Sequence, residues 1–277
     1  MTRSTKLGIL RDAAALLVTA MFLFPLFWWA LTSIKPSSAI FDIDHIVFFD
    51  FMPTWDNYQV TLFGDGPVLF DSRRTLSDSL VVALGATSLT ITLALPASFA
   101  LSFLWFRLNR AYYLWFIFQR FLPPIVAVIP LVVMFHFVGL LDTRAGLIMA
   151  HTAMNLPFAV LILKSFFDEV PREVGEAAAI DGANRFQIFF KIFTPMIKGG
   201  IAATAVLCFI FSWTEFLQAL FLTNSIRTLP VQALNVMTVS WGFTSALTTT
   251  AMIPCFIFIL LSQRHLVRGL TMGFQKG

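Results

Sequence analysis

Apolar and polar positions alternate along this chain in long blocks rather than residue by residue. Ala13–Ile34, Ser79–Phe106, Phe121–Leu141 and Ala145–Leu163 contain no Asp, Glu, Lys or Arg, over 22, 28, 21 and 19 residues. A fifth block runs from Gly199 to about Phe221 and is interrupted only by Glu215; a sixth lies within Thr228–Gln263, centred on Phe243–Ser262. A helix rises about 1.5 Å per residue, so about 20 residues cross a hydrocarbon core of about 30 Å. Each block therefore predicts a spanning helix. A strand barrel would need ten-residue segments of alternation, which the chain lacks. The pattern predicts an all-α integral membrane protein with six spans. Seven of the 13 prolines fall in these blocks, at Pro25, Pro96, Pro123, Pro124, Pro130, Pro157 and Pro254. Each removes a backbone donor and is expected to kink its helix, as is common around transport pathways.

Composition sharpens this. Of the 277 residues 58% are apolar and 12% charged, against about 45–50% and about 25% in soluble domains. Mean hydropathy is +0.81. Disordered, collagen-like and disulfide-framed classes are excluded; Cys208 and Cys255 lie within apolar stretches and read as packing residues. The net charge of +4 is not gathered into a cluster of the kind nucleic acid requires. It is instead distributed by side. With the N-terminus inside, thirteen Lys and Arg fall in cytoplasmic segments and five outside (Lys35, Arg73, Arg74, Arg144 and Arg227), with Arg120 near a boundary. That bias predicts both termini in the cytoplasm, including a tail over 264–277. The first span, too long for a signal-peptide core and followed by no cleavage pattern, reads as an anchor. One transmembrane domain over 1–277 is expected, with spans two to six over 79–263. The outside loop Pro36–Asp78 carries seven Asp, with Trp55 and Tyr58 at its centre. It reads as a solvated cap or as a docking surface for an external partner.

The segment Asp168–Lys198 is the most informative. Pro171 suits a first helical position, and Glu173 and Glu176 sit in the first turns, where the helix dipole favours anions. Val174, Ala177 and Ala178 fall at i, i+3 and i+4, a narrow apolar face of small residues. Gly182 is placed to end the helix in the left-handed conformation. A second helix is expected from Asn184, with Gln187 completing a capping box. Phe186, Phe189, Phe190 and Phe193 then form a stripe expected to bury itself, leaving the first helix projecting. Pro195 marks entry into the fifth span.

These residues resemble a known family. Glu176-Ala177-Ala178, then Gly182, then, after nine intervening residues, Ile192-x-x-Pro195 match the EAA loop of ABC importer permeases, with Thr194 where that pattern has Leu. Gly139-Leu140-x-Asp142-Thr143-x-x-Gly146-Leu147-Ile148, Leu156-Pro157-Phe158, Phe166-Phe167-x-x-Val170-Pro171, Trp213-x-Glu215-Phe216-Leu217-x-Ala219-Leu220, Thr228-Leu229-Pro230-Val231 and the tail from Gly269 to Gly277 extend the match. Over nearly its whole length the chain is similar to the smaller permease of maltose-type, carbohydrate-uptake importers. The resemblance implies a six-helix permease bundle in the bacterial inner membrane. It implies a second, unlike permease, two copies of a cytoplasmic ATPase and an extracytoplasmic solute-binding protein as partners. The loop 168–198 would be the coupling helix, with Glu176, Ala177, Ala178, Asp181 and Gly182 against the ATPase.

No Gly-Lys dipeptide occurs, so no phosphate loop of the GxxxxGK[ST] type is present. The four His show no metal spacing. The chain is expected to bind no cofactor, with ATP and Mg held by the partner, and to be a transport subunit rather than an enzyme. Intramembrane polar residues are candidates for a substrate pathway: His151, Asn155, Trp213, Glu215 and Gln218. Arg120 and His136 read as interfacial or partnered. The cargo is expected to be a mono- or oligosaccharide; a polyol, a sulfonated or phosphorylated sugar, or glycerol phosphate is the alternative. A secondary transporter driven by an ion gradient is the competing class, with Glu215 and two His as its nominal relay.

Overall fold

The structure is a computed structural model that describes residues 3–42, 46–64 and 72–272. All regular elements among the described residues are helical. The main helices are α1 (Arg3–Ser33), α2 (Ser72–Phe103), α3 (Asn109–Gln119), α4 (Pro124–Phe137), α5 (Arg144–Asp168), α6 (Arg172–Ile180), α7 (Lys198–Trp213), α8 (Leu217–Leu222), α9 (Leu229–Met237) and α10 (Trp241–Met272). Short turns lie at Ser37–Ile40, Asp56–Tyr58, Arg185–Gln187 and Thr194–Met196, and wider π-helical turns at Gln59–Phe63 and Ile188–Phe193.

Among the described residues four helical stretches are long and apolar enough to cross a membrane: Arg11–Ser33, Ser72–Phe103, Arg144–Asp168 and Trp241–Leu260. They coincide with the first, second, fourth and sixth apolar blocks. The third and fifth blocks are not single helices. α4 has 14 residues, about 21 Å of helix and short of a hydrocarbon core. It meets α3 across a break bent by 100°. Pro123 and Pro124 cause this: Pro123 is extended and Pro124 opens the new helix, where a missing N–H costs nothing. The stretch Arg185–Met196 likewise meets α7 at 76°, and α7 stops at Trp213, before the expected Phe221. Counting each bent pair as one span brings the number to six. Pro25, Pro96, Pro130, Pro157 and Pro254 lie inside continuous helices. The proline pair at the head of α4, not the isolated prolines, marks a break.

The chain forms two compact units. In Thr75–Val231 with Pro254–Gly277, α5 packs on α7, and Ala159, Val160 and Leu163 are buried with Cys208. One end of this core is an aromatic knot. Phe103 and Phe193 have ring centroids 4.2 Å apart, Phe99 stands 5.0 Å from Phe189, and Phe167 meets Phe99 edge-on at 5.7 Å. A second cluster joins Val82, Phe135, Leu147, Ala219 and Leu222. In Met1–Arg74 with Gln232–Ile253, Asn57 ties the loop to the end of α1, its Nδ2 donating to the carbonyls of Ser33 and Lys35 at 2.9 Å each. Tyr58 Oη lies 2.8 Å from Ser33 Oγ. Within the expected outer loop, 43–45 and 65–71 lie outside the described residues, as do 273–277 of the tail.

Candidate functional site

α6 is the projecting element. Pro171, extended at φ −59° and ψ 135°, is the N-cap, so the helix begins at Arg172, one position later than the Pro171 start that was expected. Two contacts hold the helix near its start. Arg172 Nη2 donates to the Ser102 carbonyl at 3.1 Å. Gly175 lies against the Phe193 ring, where a Cβ would come within 2.8 Å of it; only glycine allows that approach. Beyond this point the helix is bare. Glu176 and Ala177 are exposed, Ala178 is half-buried, and Ile180 is 86% exposed. Gly182 has φ +87°, and Ala183 N–H closes the turn on the Ala178 carbonyl at 2.9 Å. This is the left-handed C-cap expected from the sequence. Asn184 and Gln187 form the expected capping box, each side chain accepting from the other's backbone N–H at 2.9 Å.

The phenylalanine stripe departs from expectation. Phe189 and Phe193 are buried, while Phe186 and Phe190 are 77% and 62% exposed. The π-helical turn over Ile188–Phe193 widens the helix, so residues four apart stack and the single stripe becomes two columns. One column enters the aromatic knot and the other faces outward over an apolar groove of about 500 Å³. A second groove of about 510 Å³ runs between α6 and the end of α2, bordered by Phe103, Trp105, Arg172, Glu176 and Arg185. Asp181 and Gly182 are exposed at the far end of α6.

The five polar candidates of the spans lie together in the α5–α7–α8 region. His151 Nδ1 is 2.7 Å from Ser212 Oγ, and its Nε2 is 3.3 Å from Glu215 Oε2. Glu215 sits in the break between α7 and α8. Its carboxylate accepts from Gln218 N–H at 2.9 Å and Ala219 N–H at 3.2 Å, covering the open amides of α8. Asn155 Nδ2 reaches the Cys208 carbonyl at 3.4 Å. Trp213 stacks on Phe209 at 5.5 Å. Gln218 is buried with its Oε1 unpartnered. None of the five borders the grooves at α6. Of the remaining polar residues, His136 is exposed at the end of α4, and Arg120 lies over the Phe158 ring at 5.0 Å. Among the described residues no three His, Cys, Asp or Glu side chains converge as metal ligands.

One residue quoted for its motif has a role that spacing did not reveal. Asp142, at φ +57°, accepts from Asn224 N–H at 2.9 Å, Ser225 N–H at 3.0 Å, Ser225 Oγ at 2.6 Å and Ile226 N–H at 3.2 Å. It clasps the α4–α5 turn to the loop after α8. Burial pushes its carboxyl up, but the Ser225 hydroxyl and the three amides outweigh this and hold it below the ordinary 3.8. Nearby, Arg144 Nε donates to the buried Asp78 at 2.6 Å.

The fold is thus marked by two bent helix pairs and an exposed helix–glycine–helix arm. Residues 90–272 match the family described as binding-protein-dependent transport system inner membrane component, and the chain belongs to that family, the permeases of ABC importers. It is thus a multi-pass transport protein of the bacterial inner membrane. The sulfoquinovosyl glycerol transport system permease protein SmoH of Agrobacterium fabrum is 33% identical to it, across 97% of this chain and 94% of that protein. The trehalose transport system permease protein SugB of Mycobacterium tuberculosis is 34% identical, across 94% and 95%. In fold the chain is similar to a bacterial ABC transporter involved in the import of the acidic polysaccharide alginate, with a TM-score of 0.75 and 20% identity over 95% of this chain and 98% of that one.

Proposed function

We propose that this chain is one of two unlike permease subunits of an ATP-driven importer for a carbohydrate or a carbohydrate-like solute. The single observation that carries this is α6: a nine-residue helix anchored at its first turns and bare beyond, its Glu-Ala-Ala face and left-handed glycine matching the family's loop. In this reading Glu176, Ala177, Ala178, Asp181 and Gly182 meet a cytoplasmic ATPase present in two copies, which holds ATP and Mg. Both termini are cytoplasmic, the bent pairs complete six spans, and a solute-binding protein delivers cargo to the opposite face. The carbohydrate class is supported by the sugar-transporting relatives. His151, Glu215 and Gln218 shape the α7–α8 break in the pathway wall.

Nucleotide binding must favour one gate state over the other by several kcal/mol to drive alternating access, and α6 is the element exposed to receive that bias. The experiment is to tag the chain, extract it in mild detergent and identify what co-purifies. A second permease and an ATPase at 1:1:2 is the expected result. A chain that emerges alone with its loop intact overturns the reading.

A further inference from the structure

At the end of α1, a cavity of about 440 Å³ opens between that helix, the turn at Ser37–Ile40 and the first turns of α10. Its walls include Trp28, Trp29 and Trp241, and its polar lining includes Lys35, Asp42 and Ser245. Two of these groups are expensive where they stand. Lys35 is only 2% exposed; its ammonium donates to the Val47 carbonyl and stands 4.1 Å from the Trp28 ring centroid. An ammonium has three N–H donors, and the Val47 carbonyl takes one of them. Ser245 is fully buried, and its Oγ has no hydrogen-bond partner. A buried polar group without a partner costs about 1–3 kcal/mol, and a ligand bearing polar atoms would recover that cost.

We propose that this cavity binds one neutral pyranose unit of a carbohydrate. The apolar face of the ring lies on the Trp29 and Trp241 indoles, whose centroids are 6.1 Å apart. Ring hydroxyls accept from Lys35, donate to Asp42 and satisfy Ser245. Aromatic walls with a few convergent polar groups are the general form of a small-molecule site. One cation and one anion in the same lining favour an uncharged partner, because an acidic ring that paired with Lys35 would also face Asp42. The proposal rests on the carbohydrate reading above and adds to it: this subunit itself recognises sugar, at the end of its first span.

The full-length chain in lipid nanodiscs is titrated with the methyl glycosides of glucose, mannose and galactose, with N-acetylglucosamine, and with D-glucuronate, and binding is followed by saturation-transfer NMR. At least one neutral ring is expected to bind saturably and more tightly than glucuronate. Trp29→Ala should abolish the signal. Ser245→Ala should weaken binding about 5-fold, the equivalent of one hydrogen bond, without lowering the thermal unfolding midpoint, since it removes only an unpartnered hydroxyl. Four neutral rings that fail to saturate, tighter binding of glucuronate, or unchanged affinity in both variants would each overturn the site. Co-purification tests the importer reading separately. A chain that recruits its ATPase yet binds no sugar loses only this inference, and one that binds sugar but recruits nothing loses only the assembly.

Discussion

Two interruptions of helix, at Gly182 and at Thr214–Phe216, solve one problem in opposite ways. Both leave open carbonyls on one side and open amides on the other. At Gly182 the groups that close the break are neighbours in sequence: a left-handed glycine behind, and Asn184 with Gln187 ahead. At Thr214–Phe216 the carboxylate of Glu215 covers the amides of α8, and is itself met by His151, which also contacts Ser212, 61 positions further along the chain. The first break faces outward, where water meets whatever the side chains miss. At the second the amides are capped locally, by a carboxylate three and four positions before them, but that carboxylate is buried and is met by a residue far away in the sequence. An exposed joint can be written in a few consecutive residues; a buried one depends on the fold that surrounds it.

The sharpest way to break this contrast is Glu215→Ala. It strips two amides and His151 of their acceptor inside the protein, and should cost about 3–5 kcal/mol, as for removal of one partner from a buried pair, read as a lowered unfolding midpoint in detergent. A variant as stable as the parent would show that the buried break needs no internal cap. Gly182→Val should act differently. A β-branched residue at φ +87° costs about 1–3 kcal/mol locally, so uptake should be lost while the membrane level of the chain stays normal. Glu176→Lys should give the same separation through charge alone, and normal uptake by both variants would remove α6 from the coupling path.

A smaller effect is expected at Asp142→Asn, which keeps one acceptor but loses its charge, for about 1 kcal/mol. Amide exchange at Ser225 and Ile226 should quicken. Because the Asp142 pKa is lowered in the folded state, its stabilisation is complete above the ordinary carboxylate value of 3.8 and is lost as pH falls through the folded value. Wild-type exchange at those amides should therefore change only below about pH 4. Smallest of all is Asn184→Ala, an exposed cap worth about 1 kcal/mol, visible as fraying of Arg185–Gln187 and a modest fall in uptake.

The same contrast sets what could be read before the structure was known. Four helices long and apolar enough to span follow directly from uncharged length. α6, Gly182 and the Asn184 capping box were legible because short-range chemistry alone decides them. The bent pairs at the third and fifth blocks were not: length and polarity say nothing about a 100° bend, although the Pro123–Pro124 pair lay at the hinge. The fourfold Phe stripe was legible as a hydrophobic feature but not as two columns, since periodicity assumes an α-helix and Ile188–Phe193 is π-helical. His151, Asn155 and Glu215 could be singled out as polar residues at membrane depth, yet the partners Ser212 and the Cys208 carbonyl were set by packing, while Glu215 is a local cap on amides three and four residues on. Lys35 and Ser245 gave no signal at all. A lysine at the end of a span reads as an exposed charge until the fold buries it against the Trp28 ring.

The attachment of α6 has a mechanical consequence. The helix is pinned at Arg172 and Gly175 and free at Ile180, over a length of about 13 Å. A rod fixed at one end and loaded at the other is a lever whose fulcrum, here, is the contact between Gly175 and the Phe193 ring. Force on the free end arrives at that ring as torque, and the ring belongs to a close-packed cluster with Phe99, Phe103 and Phe167, which joins the ends of α2 and α5. Such packing yields little to compression. A tilt at the tip is thus handed to two long helices together instead of being absorbed beneath the arm.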